Sequence, residues 1–443
     1  MLDLSDSVSV IGVFGHARAS RLVARGLRGL AHRGGAAAGI VAFDDVARAR
    51  QSATAVFLED EAALDALTGD VALGLRHAHP QSGDVLSGAI DVAREPAWGT
   101  LSVGQVAVAF SGTVVGAASL RRDVLAGGAL LDGAGLSALV LALVARSSQR
   151  TLVNRVVDAL WKSSGAFAVV VAAPGLLVGV RDPQGLRPLV LGRVDGAIAL
   201  ASEEAAFVAA GGHLLRAVDP GEMVIVDERG VSSVRPFARR SVAVCGQELL
   251  QVALSGSHAD GRSVWEVRRQ LGEELAREAR LSSDTLVVAA DDASWPAALG
   301  FAATLDATLC PAWVPGTLRA VPEVVAGRKV ALVSLSAAAG IKARVAALLI
   351  AGAAEVHVRC ASPRRTHACP YGVTGDEPAA EAADLWAARM GATTAVALTV
   401  ERTRNLLRVP TKDAAAPCLG CVGDPWPLKD VFEDDTPSLF GEG

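Results

Sequence analysis

Six cysteines are the side chains best suited to chemistry in this chain: Cys245, Cys310, Cys360, Cys369, and the pair Cys418 and Cys421 in 417-PCLGC-421. Thiolates are nucleophiles and soft metal ligands. Six are too few to staple 443 residues, and in a reducing compartment paired cysteines point to a metal or redox site before a disulfide. A lone Cys-x-x-Cys is equally what two incidental thiols leave behind. The other candidates are weaker. His77 and His79 in 73-LGLRHAHPQSG-83 have no carboxylate nearby to complete a metal site. Arg181, Asp182 and Arg187 in 181-RDPQGLRPLVLG-192 read as a hairpin with a folded-state ion pair. His32, Arg33 and Gly34 read as a helix end, and Lys342 and Arg344 as the solvated face of a helix start, although a phosphate there would suit them.

The elements that must hold these groups change character along the chain. The first half carries short valine-heavy runs punctuated by glycine, such as 11-IGVFG-15, 104-GQVAVAFSG-112, 166-AFAVVVAA-173 and 222-EMVIVDERG-230, between helical patterns at 20–32 and 136–149. Stacked sheets covered by helices are the expectation. The second half starts with an amphipathic helix, 262-RSVWEVRRQLGEELAREARL-281, and goes on to 284-DTLVVAA-290, a helix from Pro296, and strand, loop, helix and strand over 328–360. That alternation predicts a parallel, doubly wound sheet. The boundary falls within 235–262, giving domains over 1–240 and 241–410 and a C-terminal tail over 411–443.

In such a sheet ligands bind beyond the carboxyl ends of the strands. The loop 334-SLSAAAGIK-342 occupies that position and contains no carboxylate. Ribose hydroxyls and magnesium need carboxylates, so no magnesium is expected here. A net charge of −5 without a basic stripe argues against nucleic acid. The longest apolar runs, 136–145 and 166–180, fall short of the roughly 18–20 residues of a membrane span, and the acidic start lacks a signal-peptide pattern. A cytoplasmic globular protein is expected.

The stretches 11-IGVFGH-16, 30-LAHRGGAAAGI-40, 181-RDPQGLRPLVLG-192, 201-ASEEAAF-207, 219-DPGEM-223, 261-GRSVWEVRRQLGEELA-276, 352-GAAEVHVRCASP-363 and 367-HACPYG-372, in this order, resemble the amidophosphoribosyltransferases, which open purine synthesis. The resemblance runs almost end to end. It implies an α/β and α+β chain: an N-terminal αββα sandwich of the N-terminal-nucleophile (class II glutaminase) type, then a type I phosphoribosyltransferase-like parallel sheet. The family's residues are then missing one after another. Its nucleophilic cysteine, whose own amine is the base, falls on Ile11, and ten residues stand ahead of it; an alkyl group has no lone pair to attack with, so self-removal of that leader is not expected. The oxyanion-hole asparagine falls on Ser111. The glutamine-carboxylate arginine matches Arg76, and the aspartate for its amine falls on Leu136. The acidic pair for the ribose falls on Ser334 and Leu335, and the long basic flap that excludes water is largely absent around 310–327. No catalytic or substrate-binding residue is therefore assigned.

The cysteines behave differently. Some family members hold a four-iron, four-sulfur (4Fe-4S) cluster on a cysteine at the domain junction, one before Tyr-Gly and a C-terminal Cys-x-x-Cys. Cys245, Cys369, Cys418 and Cys421 match those places. Four thiolates suit iron–sulfur or zinc by softness, and only the resemblance favours the cluster. Cys310 and Cys360 read as small core residues, and His367 as a turn residue rather than a zinc ligand. A pseudoenzyme is expected, a homo- or hetero-oligomer that assembles with an active amidophosphoribosyltransferase or another partner. The alternatives are an active transferase with displaced or new ligands and an iron–sulfur sensor of redox state or oxygen.

Overall fold

The computed structural model describes residues 8–428 apart from 36, 45–46, 53–54, 78–94, 134, 162, 239, 338–339, 372–381 and 409–416. The chain divides into two compact units, one built mainly on Asp6–Ala243 and the other on Val244–Cys369 and the described part of Thr374–Trp426. The N-terminal unit has strands β1 (Val8–Phe14), β2 (Ala37–Phe43), β3 (Ala47–Ser52), β4 (Val71–His77), β5 (Ala97–Leu101), β6 (Gly104–Val115), β7 (Ser164–Ala173), β8 (Leu176–Arg181), β9 (Val190–Val194), β10 (Ala197–Ala201), β11 (His213–Ala217), β12 (Met223–Asp227) and β13 (Gly230–Val234). Its helices are α1 (Ala19–Gly29), α2 (Glu61–Asp65), α3 (Ala117–Ala126), α4 (Leu136–Arg146), α5 (Leu152–Trp161) and α6 (Ala205–Ala209).

These strands form two antiparallel sheets, in the orders β11-β9-β10-β1-β4-β2-β3 and β13-β12-β8-β7-β6-β5. Successive side chains on a strand point to opposite faces, and here both faces are covered. On β1, Val10 enters the layer between the sheets with Leu75, Val170 and Leu177, whereas Ile11 and Val13 pack with Val23 and Leu27 of α1. Beyond the second sheet, Val106 and Val108 pack with Leu139 and Val144 of α4 and Val156 of α5. That is why the strands read as continuous apolar runs rather than alternating ones. The layers are those of an αββα sandwich.

The C-terminal unit has β14 (His258–Ala259), β15 (Arg262–Ser263), β16 (Leu286–Ala289), β17 (Lys329–Ser334), β18 (Glu355–Cys360) and β19 (Thr394–Ala397), with α7 (Val264–Glu278), α8 (Trp295–Leu305), α9 (Pro322–Val325), α10 (Gly340–Ile350), α11 (Ala383–Met390) and α12 (Val400–Leu407). Strands β16-β17-β18-β19 make a parallel sheet, and 328–360 folds as the expected strand, loop, helix and strand. Ser263 caps α7 by accepting from the Glu266 N–H at 3.3 Å. Where the resemblance expects a long flap, the chain turns back on itself, Val314 N–H donating to the Arg319 carbonyl at 2.9 Å. Among the described residues, no helix is long and apolar enough to cross a membrane.

Helices α7 and α8 cross at two glycines. A Cβ on Gly272 would stand 1.9 Å from the Ala297 carbonyl oxygen, and one on Gly300 2.0 Å from the Arg269 carbonyl oxygen. In an open helix Gly→Ala stabilises by about 1 kcal/mol; here overpacking reverses the sign. Gly272→Ala is expected to destabilise by about 3 kcal/mol, read as a lower urea midpoint. A raised midpoint would show that the helices part freely.

Candidate functional site

Three segments of the C-terminal unit meet where four of the six cysteines stand. Cys245 precedes a π-helical turn (Glu248–Val252), Cys369 follows the loop after β18, and Cys418 and Cys421 flank the start of a short 3-10 turn (Gly420–Val422). Backbone hydrogen bonds tie the segments together. Cys418 N–H donates to the Val244 carbonyl at 2.7 Å and Gly246 N–H to the Cys418 carbonyl at 3.0 Å, while Thr366 and His367 N–H both donate to the Cys421 carbonyl, at 2.9 and 3.2 Å. Of the tail expected over 411–443, residues 417–428 are described. Leu419, Cys421 and Val422 are buried in the core that holds Leu271 and Leu275 of α7, with Cys369 and Trp426 packed against it.

Cys418 and Cys421 are buried, and Cys245 and Cys369 half-buried. Burial pushes the Cys418 thiol up to about 12 and the Cys421 thiol up to about 11, with other thiols of the group adding to both. Burial, then Cys418, push Cys245 well above the ordinary thiol range, Glu248, Cys369 and Cys421 adding. Cys369 and Cys421 thus act on both Cys245 and Cys418. Two groups oppose the trend at Cys421: Gln247, by a hydrogen bond from Nε2–H to Sγ at 3.2 Å, and the guanidinium of Arg365, by its charge. Among the described residues, no three His, Cys, Asp or Glu side chains draw close enough to hold one metal ion. Cys360 lies elsewhere, buried with Leu332 and Val345, and Cys310 packs against the same core. His367 is exposed and bonded to Thr366.

In the N-terminal unit Ile11 sits mid-strand with its side chain fully buried. Its Cδ1 fills the space left by Gly26 of α1, 2.3 Å from where a Cβ there would stand. Val8, Ser9 and Val10 continue the strand ahead of it, opposite His77, Arg76 and Leu75 of β4. Val10 exchanges two 3.0 Å hydrogen bonds with Ser202. The Ser111 hydroxyl donates to the Val8 carbonyl at 2.7 Å and accepts from Arg187 Nη2 at 3.1 Å. Arg76 donates to the carbonyls of Gly35 and Leu27, at 2.7 and 3.1 Å. Leu136 opens α4 and packs on its core. Every one of these positions is engaged by the chain itself. Burial lowers His77 to about 4, so its ring is neutral at neutral pH; His79 lies outside the described residues.

The expected ion pair of the 181–187 turn has a different form. Asp182 accepts from the N–H groups of Gln184, Gly185, Leu186 and Arg187 at 2.8–3.1 Å, and Arg181 donates to the carbonyls of Arg187, Val218 and Gly185. Both charges brace the backbone. Burial pushes the Asp182 carboxyl up to about 6, against those N–H donors and Arg181. The helix end at His32 to Gly34 is a 3-10 turn (Ala31–Arg33), fixed by His32 and Arg33 on Glu203 at 2.8 and 2.7 Å.

Glu95 carries no signal in the sequence, yet its carboxyl is buried near the start of α4, bonded to Ser137, with Arg121 nearby and one oxygen without a hydrogen-bond partner. Burial pushes it up to about 7. The folded state therefore holds a proton that the unfolded chain releases above about pH 4.3, and stability falls as pH rises from there through about 7, by about 3 kcal/mol in total. Glu95→Gln is expected to flatten that decline and to be the more stable form at pH 8. Parallel slopes for both proteins in urea titrations from pH 5 to 8 would refute this.

In the transferase-like loop, Ser334 Oγ bonds Ser336 within the turn, at 2.8 and 3.2 Å. Leu335 is buried; its N–H donates to Ser294 Oγ at 3.2 Å and its carbonyl accepts from Gln251 at 3.1 Å and Ser362 at 2.5 Å. Lys342 is exposed as expected, but Arg344 is not a solvated residue. The first turn of α10 lays it against the end of β16, where Nε donates to the Ala290 carbonyl at 2.6 Å and Nη2 lies 3.9 Å from Asp291. Asp291 in turn accepts from the N–H and hydroxyl of Ser294, at 3.0 and 2.7 Å.

A class II glutaminase sandwich followed by a phosphoribosyltransferase-like parallel sheet defines the class of two-part glutamine amidotransferases. A glutamine amidotransferase domain profile matches residues 90–209. The chain is 30% identical to the amidophosphoribosyltransferase of Bacillus subtilis (strain 168), with 97% of this chain and 96% of that protein covered. It is 32% identical to the chloroplastic amidophosphoribosyltransferase of Vigna aconitifolia, with 98% and 94% covered. A solved structure of the allosteric regulatory enzyme of purine biosynthesis superposes with a TM-score of 0.88 at 28% identity, covering 96% of this chain and 97% of that one. The B. subtilis glutamine phosphoribosylpyrophosphate amidotransferase complexed with ADP and GMP gives 0.85 at 27%, covering 96% and 98%. The chain belongs to the amidophosphoribosyltransferase family of purine biosynthesis.

Proposed function

We propose that this chain is a non-catalytic member of its family that holds an iron–sulfur cluster on Cys245, Cys369, Cys418 and Cys421 and acts by binding, as a structural or regulatory partner, most simply of an active amidophosphoribosyltransferase. One observation carries the first part: the residue at the nucleophile's position is a buried isoleucine in mid-strand, with three residues ahead of it paired into the same sheet. Neither a thiol nor a free amine stands there.

Support for the cluster comes from the cysteine corner. A single zinc needs four donors about 2.3 Å from one point; among the described residues no three side chains close on one ion, although Cys418, Cys369 and Cys421 all act on Cys245. Thiolates gathered from three segments suit soft iron by their chemistry. The Nε and Nη1 donors of Arg365 are buried without a hydrogen-bond partner beside Cys421, and an anionic group would meet that need. When bound, a cluster supplies one-electron redox chemistry and ties three chain segments together.

A transferase with displaced ligands has one observation in its favour, the carboxylates Asp291 and Asp292 just beyond β16. Asp291 is engaged by Ser294, which leaves a single exposed carboxylate. The deciding assay is turnover of glutamine and of phosphoribosyl pyrophosphate by the purified chain: silence in both supports the proposal, and pyrophosphate release supports the displaced-ligand reading.

A further inference from the structure

We propose that the amide of Gln247 and the charge of Arg365 together set the reduction potential of the group held by the four cysteines, acting through the sulfur of Cys421. This rests on the iron–sulfur reading above. Gln247 is buried, its Nε2–H pointing to Cys421 Sγ at 3.2 Å while its Oε1 is buried without a partner. An amide that leaves its acceptor unsatisfied in the interior is destabilising, and its side-chain hydrogen bond goes to a sulfur. Arg365 repeats the pattern with charge, since two of its donors are buried and unpartnered. It precedes Thr366, whose N–H is bonded to the Cys421 carbonyl, and its positive charge acts on the Cys421 thiol. Neighbouring Arg364 differs in placement: its guanidinium lies over the Trp386 ring, 5.0 Å from the centroid.

One hydrogen-bond donor and one positive charge therefore act on a single corner. Hydrogen bonds to the sulfurs and net charge are the levers that set a cluster's potential. Both devices favour the more negative, reduced state, so their joint effect is to raise the potential and make the reduced cluster easier to form. A purely structural cluster needs neither.

The test uses the full chain purified without oxygen, titrated with dithionite through mediator dyes, with the midpoint potential and the iron content read on each variant. Arg365→Gln is expected to keep its iron while its oxidised-to-reduced ratio at the wild-type midpoint rises about tenfold, a shift of 59 mV downward for a one-electron couple. Gln247→Leu shifts the same way by less, Arg365→Lys recovers part of the loss, and Arg364→Gln leaves the midpoint in place. Full iron with unchanged midpoints in Arg365→Gln and Gln247→Leu overturns the tuning role alone. Folded variants that both lose their iron overturn it in favour of a holding role. A wild-type chain without iron overturns this proposal together with the reading beneath it.

Discussion

Purified chain releases neither ammonia from glutamine nor pyrophosphate from phosphoribosyl pyrophosphate above a blank, and the Ile11→Cys variant is equally silent. The first half of this expected result follows from chemistry: loss of a nucleophile alone lowers kcat on the order of a million-fold. The second half follows from the fold. A thiol at position 11 would replace a side chain that fills the space beside Gly26 in the α1 layer, so it would be shielded from substrate. The family's base is the nucleophile's own amine, and here the amide of residue 11 is tied into a strand that continues through Val10 to Val8. The hydroxyl of Ser111 already serves the Val8 carbonyl, and Arg76 already serves Gly35 and Leu27. Restoring one atom does not clear those contacts. Glutamine turnover by Ile11→Cys above the wild-type blank, with a contaminating amidotransferase excluded, would show that the pocket is intact and that the proposal is wrong.

What the sequence made legible was set by the range of the forces involved. Local periodicity places β17, α10 and β18 because each element buries a face read from neighbours two to four residues apart. The parallel sheet follows from their alternation, and the resemblance adds the αββα sandwich. Arg344 was misplaced because its partner, the Ala290 carbonyl, is set by strand order rather than by its own helix. The continuation of β1 through Val8 was equally hidden, since its pairing depends on β4, more than sixty positions along the chain. At the cysteine corner, thiol positions were available from the resemblance, but the donors were not. Gln247 and Cys421 are 174 positions apart, and no local pattern links them. The Arg-Arg pair in 361-ASPRRTHAC-369 was a visible hint beside Cys369, although only the fold separates Arg365 from Arg364.

Chain purified without oxygen is expected to be brown with about four irons per molecule, as for a cubane cluster held by four thiolates, and Cys418→Ser to lose that iron and become susceptible to protease near its C-terminus. The ligands come from three segments separated by long stretches of chain, and closing such loops is where a bound group contributes most to stability. Serine keeps the backbone bonds that tie residue 418 to Val244 and Gly246, so this variant separates the sulfur's role from that of the docked backbone. If the thiol were merely a small core residue, serine at 418 would behave like serine at 360, which lies in a different core. Cys360→Ser is therefore the control, expected to keep its iron. Colourless protein containing zinc would keep the site and refute the cluster. Colourless protein free of metal, folded and isolated without oxygen, would mean that the four thiols and the orphaned donors beside Cys421 are grouped for packing alone, and the retained site would fall with it.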